Sequence, residues 1–189
     1  MTVRSIEGTR IPDDLKSITF SGSEVDFSKA YEGLGKFDSL KSDPPGMYEL
    51  HENIEELTFT YLKVKKLPDL SKQKVLRCLA IIDCENLDEV NLEGLDSLEE
   101  LFLRNVKNVP DLSHLKNLRS LKIVGCDNET LTSLAFYRRI DSVVFVNNPN
   151  LTKISGLNMM TRLTKIAIMN CPKLSDLDGF ENGELFPNL

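Results

Sequence analysis

One pattern recurs six times down this chain: apolar-x-x-apolar-x-apolar-x-x-(Cys, Asn or apolar). It runs through Ile54-Leu57-Phe59-Leu62, Leu76-Leu79-Ile81-Cys84 and Leu98-Leu101-Leu103-Val106. It continues through Leu118-Leu121-Ile123-Cys126, Ile140-Val143-Phe145-Asn148 and Leu163-Ile166-Ile168-Cys171. The starts lie 20 to 23 residues apart. A fixed period of this length predicts a stack of small identical units. One such unit cannot bury its own apolar face, so neighbours must share a continuous core. The stretches between matches repeat as well: Leu87, Val90, Leu92 and Leu95 lead into Leu98, and Leu151, Ile154 and Leu157 lead into Leu163.

The pattern resembles the leucine-rich repeat, in which each unit supplies one short strand and a return segment. The resemblance implies an α/β leucine-rich-repeat solenoid. A parallel sheet would line its concave side, with short 3₁₀ or extended returns on the convex side. Units of this length leave little room for a long helix. Val109-Pro110, Asn148-Pro149 and Cys171-Pro172 end strands cleanly, because proline cannot continue a ladder.

The regular part is expected over 54–189, as six repeats and a partial one. Residues 1–53 read as a degenerate N-terminal cap. Within it Leu15-Ile18-Phe20-Ser23 fits the template well, Leu34-Phe37-Ser39-Ser42 fits poorly, and Ser42-Asp43-Pro44-Pro45-Gly46 breaks the pattern. The end, Glu184-Leu185-Phe186-Pro187-Asn188-Leu189, reads as the approach to another strand, so the solenoid is expected to be open there. The chain is expected to be a fragment of a longer array or, in the alternative, to have this edge covered by a partner, with self-association as one such case.

Side chains alternate across a strand. If Leu57 and Phe59 and their equivalents point inward, the residues between them form two concave columns. One is Thr58, Ala80, Phe102, Lys122, Val144, Ala167; the other is Thr60, Ile82, Arg104, Val124, Val146, Met169. A flanking column begins at Tyr61. Apolar residues gathered on a solvent face mark an interaction surface. The expected partner-binding residues are Tyr61, Ile82, Phe102, Arg104, Lys122, Val124, Val144, Val146 and Met169.

Cys84, Cys126 and Cys171 share one template position, filled by Asn148 elsewhere. Their side chains should face inward and satisfy backbone groups after the strand. Cys84 and Cys126 lie two repeats apart, about 10 Å at the strand spacing, too far for a disulfide. They lack zinc-site spacing. Cys78 alternates to the exposed face, with nothing nearby in sequence to lower its pKa. His51 and His114 show no convergent nucleophile, and Asp69, Asp111 and Asp176 read as solvated turn residues. Asn128-Glu129-Thr130 and Asn150-Leu151-Thr152 match the glycosylation sequon, which matters only in a secreted chain. The chain contains neither a phosphate-binding loop nor a dinucleotide fingerprint. No enzyme site, cofactor or metal is expected.

The net charge of −6 and pI of about 5.1 disfavour a nucleic-acid partner. The N-terminus lacks a signal-like apolar run and no segment is long and apolar enough to cross a bilayer. A cytoplasmic protein is expected.

Leu163-x-x-Ile166-x-Ile168-Met169-Asn170-Cys171-Pro172-Lys173-Leu174, Leu121-Lys122-Ile123-Val124-Gly125-Cys126-Asp127-Asn128 and Phe186-Pro187-Asn188-Leu189 resemble repeats of plant intracellular nucleotide-binding leucine-rich-repeat immune receptors. The resemblance implies a sensor portion that recognises a pathogen protein and contacts a nucleotide-binding domain. The element at Leu151–Leu157 equally resembles short cytosolic repeats of phosphatase-regulatory subunits. That resemblance implies a stand-alone adaptor.

Overall fold

The computed structural model describes residues 1–4, 14–23, 25, 53–131, 134 and 137–177. The poorly matching repeat at Leu34–Ser42, the break at Ser42–Gly46, His51 and the segment Glu184–Leu189 lie outside these residues.

Among the described residues eight strands form one parallel sheet: β1 (Thr2–Val3), β2 (Ser17–Ser21), β3 (Glu56–Thr60), β4 (Cys78–Ile82), β5 (Glu100–Arg104), β6 (Ser120–Val124), β8 (Ser142–Val146) and β10 (Lys165–Met169). They lie side by side in chain order. A second parallel sheet on the return side joins β7 (Thr130–Leu131), β9 (Lys153–Ile154) and β11 (Asp176–Leu177). Each repeat thus makes one turn of a solenoid. Register is constant: Ile18, Leu57, Leu79, Leu101, Leu121, Val143 and Ile166 pair in one row. β2 therefore continues the same ladder on the N-terminal side of Ile54.

Returns of this length are extended or carry short turns, such as the 3₁₀ turn Leu157–Met159. Among the described residues the helical part of the α/β class amounts to 3₁₀ geometry. Inward leucines hold these turns. Leu95 N–H donates to Leu92 O, and Leu98 N–H to Leu95 O. Leu115 and Leu118 repeat the arrangement one unit later.

Two backbone devices fasten each unit to the next. The residue before each strand offers its carbonyl to two consecutive N–H groups of the following unit. Glu55 O receives Arg77 and Cys78, Arg77 O receives Glu99 and Glu100, and Glu99 O receives Arg119 and Ser120. The residue after each main-sheet strand from β3 onward turns left-handed: Tyr61 (φ 58), Asp83 (54), Asn105 (50), Gly125 (66), Asn147 (55) and Asn170 (53). That turn aims its N–H at the last carbonyl of the neighbouring strand, as in Asp83 to Arg104 O at 2.8 Å and Asn105 to Val124 O at 2.8 Å. Asn, Asp and Gly enter this region most easily. Gly125 is further constrained, because a Cβ there would sit 2.1 Å from Asn105 Oδ1.

The core is a stack of inward rows in which Leu57, Leu79, Leu101, Leu121 and Val143 are at most 2% exposed. Phe20 and Phe59 stack across β2 and β3 with centroids 5.7 Å apart. Tyr137 is fully buried; its hydroxyl donates to Leu112 O, and burial pushes the phenol above its usual pKa.

The shared Cys/Asn position does one job with two chemistries. Asn148 Oδ1 accepts from Cys126 N–H at 2.9 Å, and its Nδ2 donates to Ile123 O at 3.2 Å. In the earlier units sulfur takes over: the Leu62 N–H reaches the Cys84 thiol, and the Val106 N–H reaches that of Cys126. Each thiol bonds the carbonyl two residues back, and burial pushes both pKa values up. All four cysteines are free. Asn148→Leu would orphan the Cys126 N–H and lower stability by about 1–3 kcal/mol in urea unfolding. Asn148→Cys is expected to cost less, since sulfur already fills this role in the neighbouring units.

Candidate functional site

The solvent face of the main sheet carries every expected partner-binding residue, in two adjoining columns and a rim. Ala80, Phe102, Lys122, Val144 and Ala167 pair along one row; Ile82, Arg104, Val124, Val146 and Met169 pair along the next. Neighbours within a row are one strand spacing apart, about 4.8 Å. Ile82, Phe102, Val124, Val144 and Val146 are half-buried, and Met169 is 53% exposed. Tyr61 stands at the rim, 56% exposed.

Side-chain contacts divide this face. At its centre Lys122 Nζ lies 4.6 Å from the centroid of the Phe102 ring, an attraction worth about 0.5–1 kcal/mol at an exposed site. Beside it the Arg104 guanidinium grips both oxygens of Asp83, one at 3.2 Å through Nε and one more closely through Nη2. Asn105 Nδ2 adds a bond to Asp83 Oδ1 at 2.6 Å, and the Tyr61 side chain joins the cluster. Arg104 is thereby held flat on the face by a neighbour in the previous unit. On the β6 to β10 side of this polar centre, Val124, Val144, Val146, Ala167 and Met169 form an apolar field.

A second feature escaped the sequence reading. The residue before each main-sheet strand, β2 to β6 and β8, alternates in sign: Lys16, Glu55, Arg77, Glu99, Arg119, Asp141. Stacked one per unit, they make a charge ladder along one edge of the sheet. Lys16 pairs with Glu55 at 3.0 Å, Arg77 with Glu99 at 3.0 Å, and Arg119 with Asp141 at 3.6 Å. The Arg77 guanidinium holds the Glu99 carboxyl below the usual carboxylate range. The ladder borders an open groove of about 810 Å³, also lined by Val75, Asn117, Arg139 and Arg162. The alternation could have been found by aligning the position before each strand.

The other candidates sort plainly. Burial, then Glu100 and Glu56, raises the Cys78 pKa, which keeps it a thiol. Asp69 and Asp111 accept from Ser71 and Ser113 in matching turns, whereas Asp176 lies in β11 and pairs with Lys153 at 2.8 Å. These three carboxylates are therefore not equivalent. His114 approaches Asp111 at 3.6 Å on the surface. The sequon residues are in structural use: Asn128 accepts from Val109 N–H and Asn150 from Lys173. Among the described residues no cluster of three or more His, Cys, Asp or Glu is placed to hold a metal ion. None of the described helical segments is long and apolar enough to cross a membrane.

No family model and no curated protein matches the chain. Among solved structures it is similar to the leucine-rich repeat domain of the type III effector XopL, with a TM-score of 0.66 and 18% sequence identity. The alignment covers 99% of this chain and 73% of that one. At this identity the likeness concerns the fold, and with the parallel ladder it defines the chain as a leucine-rich-repeat solenoid.

The Asp83–Arg104 contact makes stability depend on pH. Hydrogen bonding from Arg104 holds the Asp83 carboxyl below its ordinary pKa. Its contribution is therefore present at neutral pH and lost as pH falls through that lowered value. Asp83→Asn is expected to lower the urea midpoint at about pH 7. The two midpoints should converge as pH falls below the usual Asp range, about 3.9.

Proposed function

We propose that this chain is a protein-interaction module, and that it docks its partner on the solvent face of the main sheet. The observation that carries the reading is the field formed by Val124, Val144, Val146, Ala167 and Met169 beside Phe102 and Arg104. Solvent-facing sheet columns ordinarily carry polar residues, and a contiguous apolar patch is costly unless something covers it. Phe102, Arg104 and Tyr61 belong to residue types common among binding hot spots. A rigid ladder also presents them at low entropic cost. The leucine-rich-repeat fold, which supplies extended binding surfaces, agrees with a binding role in place of an enzymatic one.

The narrower assignment is the sensing portion of an intracellular immune receptor; it rests on the repeat motifs around Cys126 and Cys171. A cytoplasmic setting is supported by the four free cysteines, since thiols persist in reducing compartments.

The test compares wild type with Val146→Glu and Phe102→Glu by affinity capture from the cells that make the protein. Proteins retained by wild type and lost from both variants, at unchanged melting temperature, support the reading. The same captured set from all three removes it.

Self-association through β10, the last main-sheet strand among the described residues, is a second reading. Ile166 and Ile168 are half-buried, whereas their equivalents Val143 and Phe145 are fully buried. Light scattering across a concentration series is expected to show a mass that rises above the monomer. A constant monomer mass would remove this second reading.

A further inference from the structure

The charge ladder is balanced over most of its length and unbalanced at one end. After Asp141 the alternation stops, because Thr164 occupies the next position. Arg162, two residues earlier, comes to Asp141 instead, at 3.3 Å. One carboxylate thus serves two guanidiniums, Arg119 and Arg162. Neither makes the two-bond pairing that Arg77 makes with Glu99. A third guanidinium, Arg139, rests on a neutral partner, Asn117 Oδ1, at 2.7 Å. Arg119, Arg139 and Arg162 thus line one wall of the groove and have only Asp141 and, beside Arg119, Glu99 as acidic neighbours. The chain as a whole carries −6, so this is a local reversal of sign, which draws in an anionic group.

We infer that Arg119, Arg139 and Arg162 form a second docking surface, separate from the sheet face, for an acidic segment of a partner polypeptide. Guanidinium forks match carboxylates in two-bond geometry. All three arginines are exposed, and their present contacts are weak, solvent-screened surface pairs, so a partner's carboxylates can replace them readily. A uniform phosphate backbone fits less well. Asp141 stands between the arginines, and Glu55 and Glu99 line the rest of the groove. A polypeptide can place its carboxylates at intervals and avoid them.

The probe is a short fluorescein-labelled peptide of alternating Glu and Ser, followed by anisotropy against the full chain. Saturable binding that weakens with added salt is expected. Arg139→Glu/Arg162→Glu should weaken it by about tenfold or more, equivalent to about 1.4 kcal/mol. Lys63→Glu/Lys107→Glu matches the change in net charge elsewhere and should leave affinity within about twofold, equivalent to less than 0.5 kcal/mol. Val146→Glu should also leave it unchanged, which separates this surface from the sheet face. Should the double reversal fail to fold by circular dichroism, Arg139→Gln/Arg162→Gln replaces it with the same expected direction. Absence of saturable binding, equal loss in the lysine control, or tighter binding of an oligothymidylate of similar length would each overturn the proposal.

Discussion

Every other feature of this molecule depends on the hydrogen bonds that tie one repeat to the next at the two ends of each strand. A carbonyl before the strand holds two N–H groups of the following unit, and a left-handed residue after it reaches the neighbouring strand. Together they extend each five-residue strand pairing beyond the strand and lock its register. Constant register converts a sequence period into straight columns of side chains. The inward columns become the core, and the outward ones become a surface to which each unit adds one residue per row. Tyr61 is the exception among the left-handed residues, since neither Asn, Asp nor Gly stands there. Its side chain joins the Asp83–Arg104 cluster, which offsets part of the backbone strain of about 1–3 kcal/mol.

The surface columns divide into three regions of different chemistry. Threonines and serines dominate on β2 and β3, a polar cluster built on Phe102, Arg104 and Lys122 sits near the middle, and aliphatic residues follow toward β10. The middle is organised by the protein itself: Asp83 fixes Arg104, and Lys122 covers Phe102. A hot-spot arginine held in place before binding loses less entropy on binding than a free one. Lys122 must shift for a partner to reach the full Phe102 ring.

Much of this is legible in the sequence. The template predicted all the strands from β3 to β6, with β8 and β10, because the inward leucines and isoleucines mark them by spacing alone. Alternation placed Phe102, Val124 and Val146 on the outer face for the same reason. What was not legible depends on contacts between units. Arg104 stood out as an exposed cation, yet nothing in its own repeat discloses that Asp83, 21 residues earlier, holds it. The shared role of Cys84, Cys126 and Asn148 could be read from register, but not that sulfur accepts the same N–H that the amide does. The return sheet of β7, β9 and β11 went unseen because its strands are two residues long, too short for a period-two pattern to show.

The alternating edge charges also constrain how such a solenoid can change length. Each unit contributes one sign, so the unit and its immediate neighbours form an arrangement with parity. Removing two adjacent units from the middle leaves opposite signs in contact across the join. Removing one brings like charges together, for example Glu55 beside Glu99, and turns attraction into repulsion. The backbone ladder would accept either deletion, because the main-sheet register repeats from unit to unit. The edge would not, and it therefore favours gain or loss of repeats in pairs.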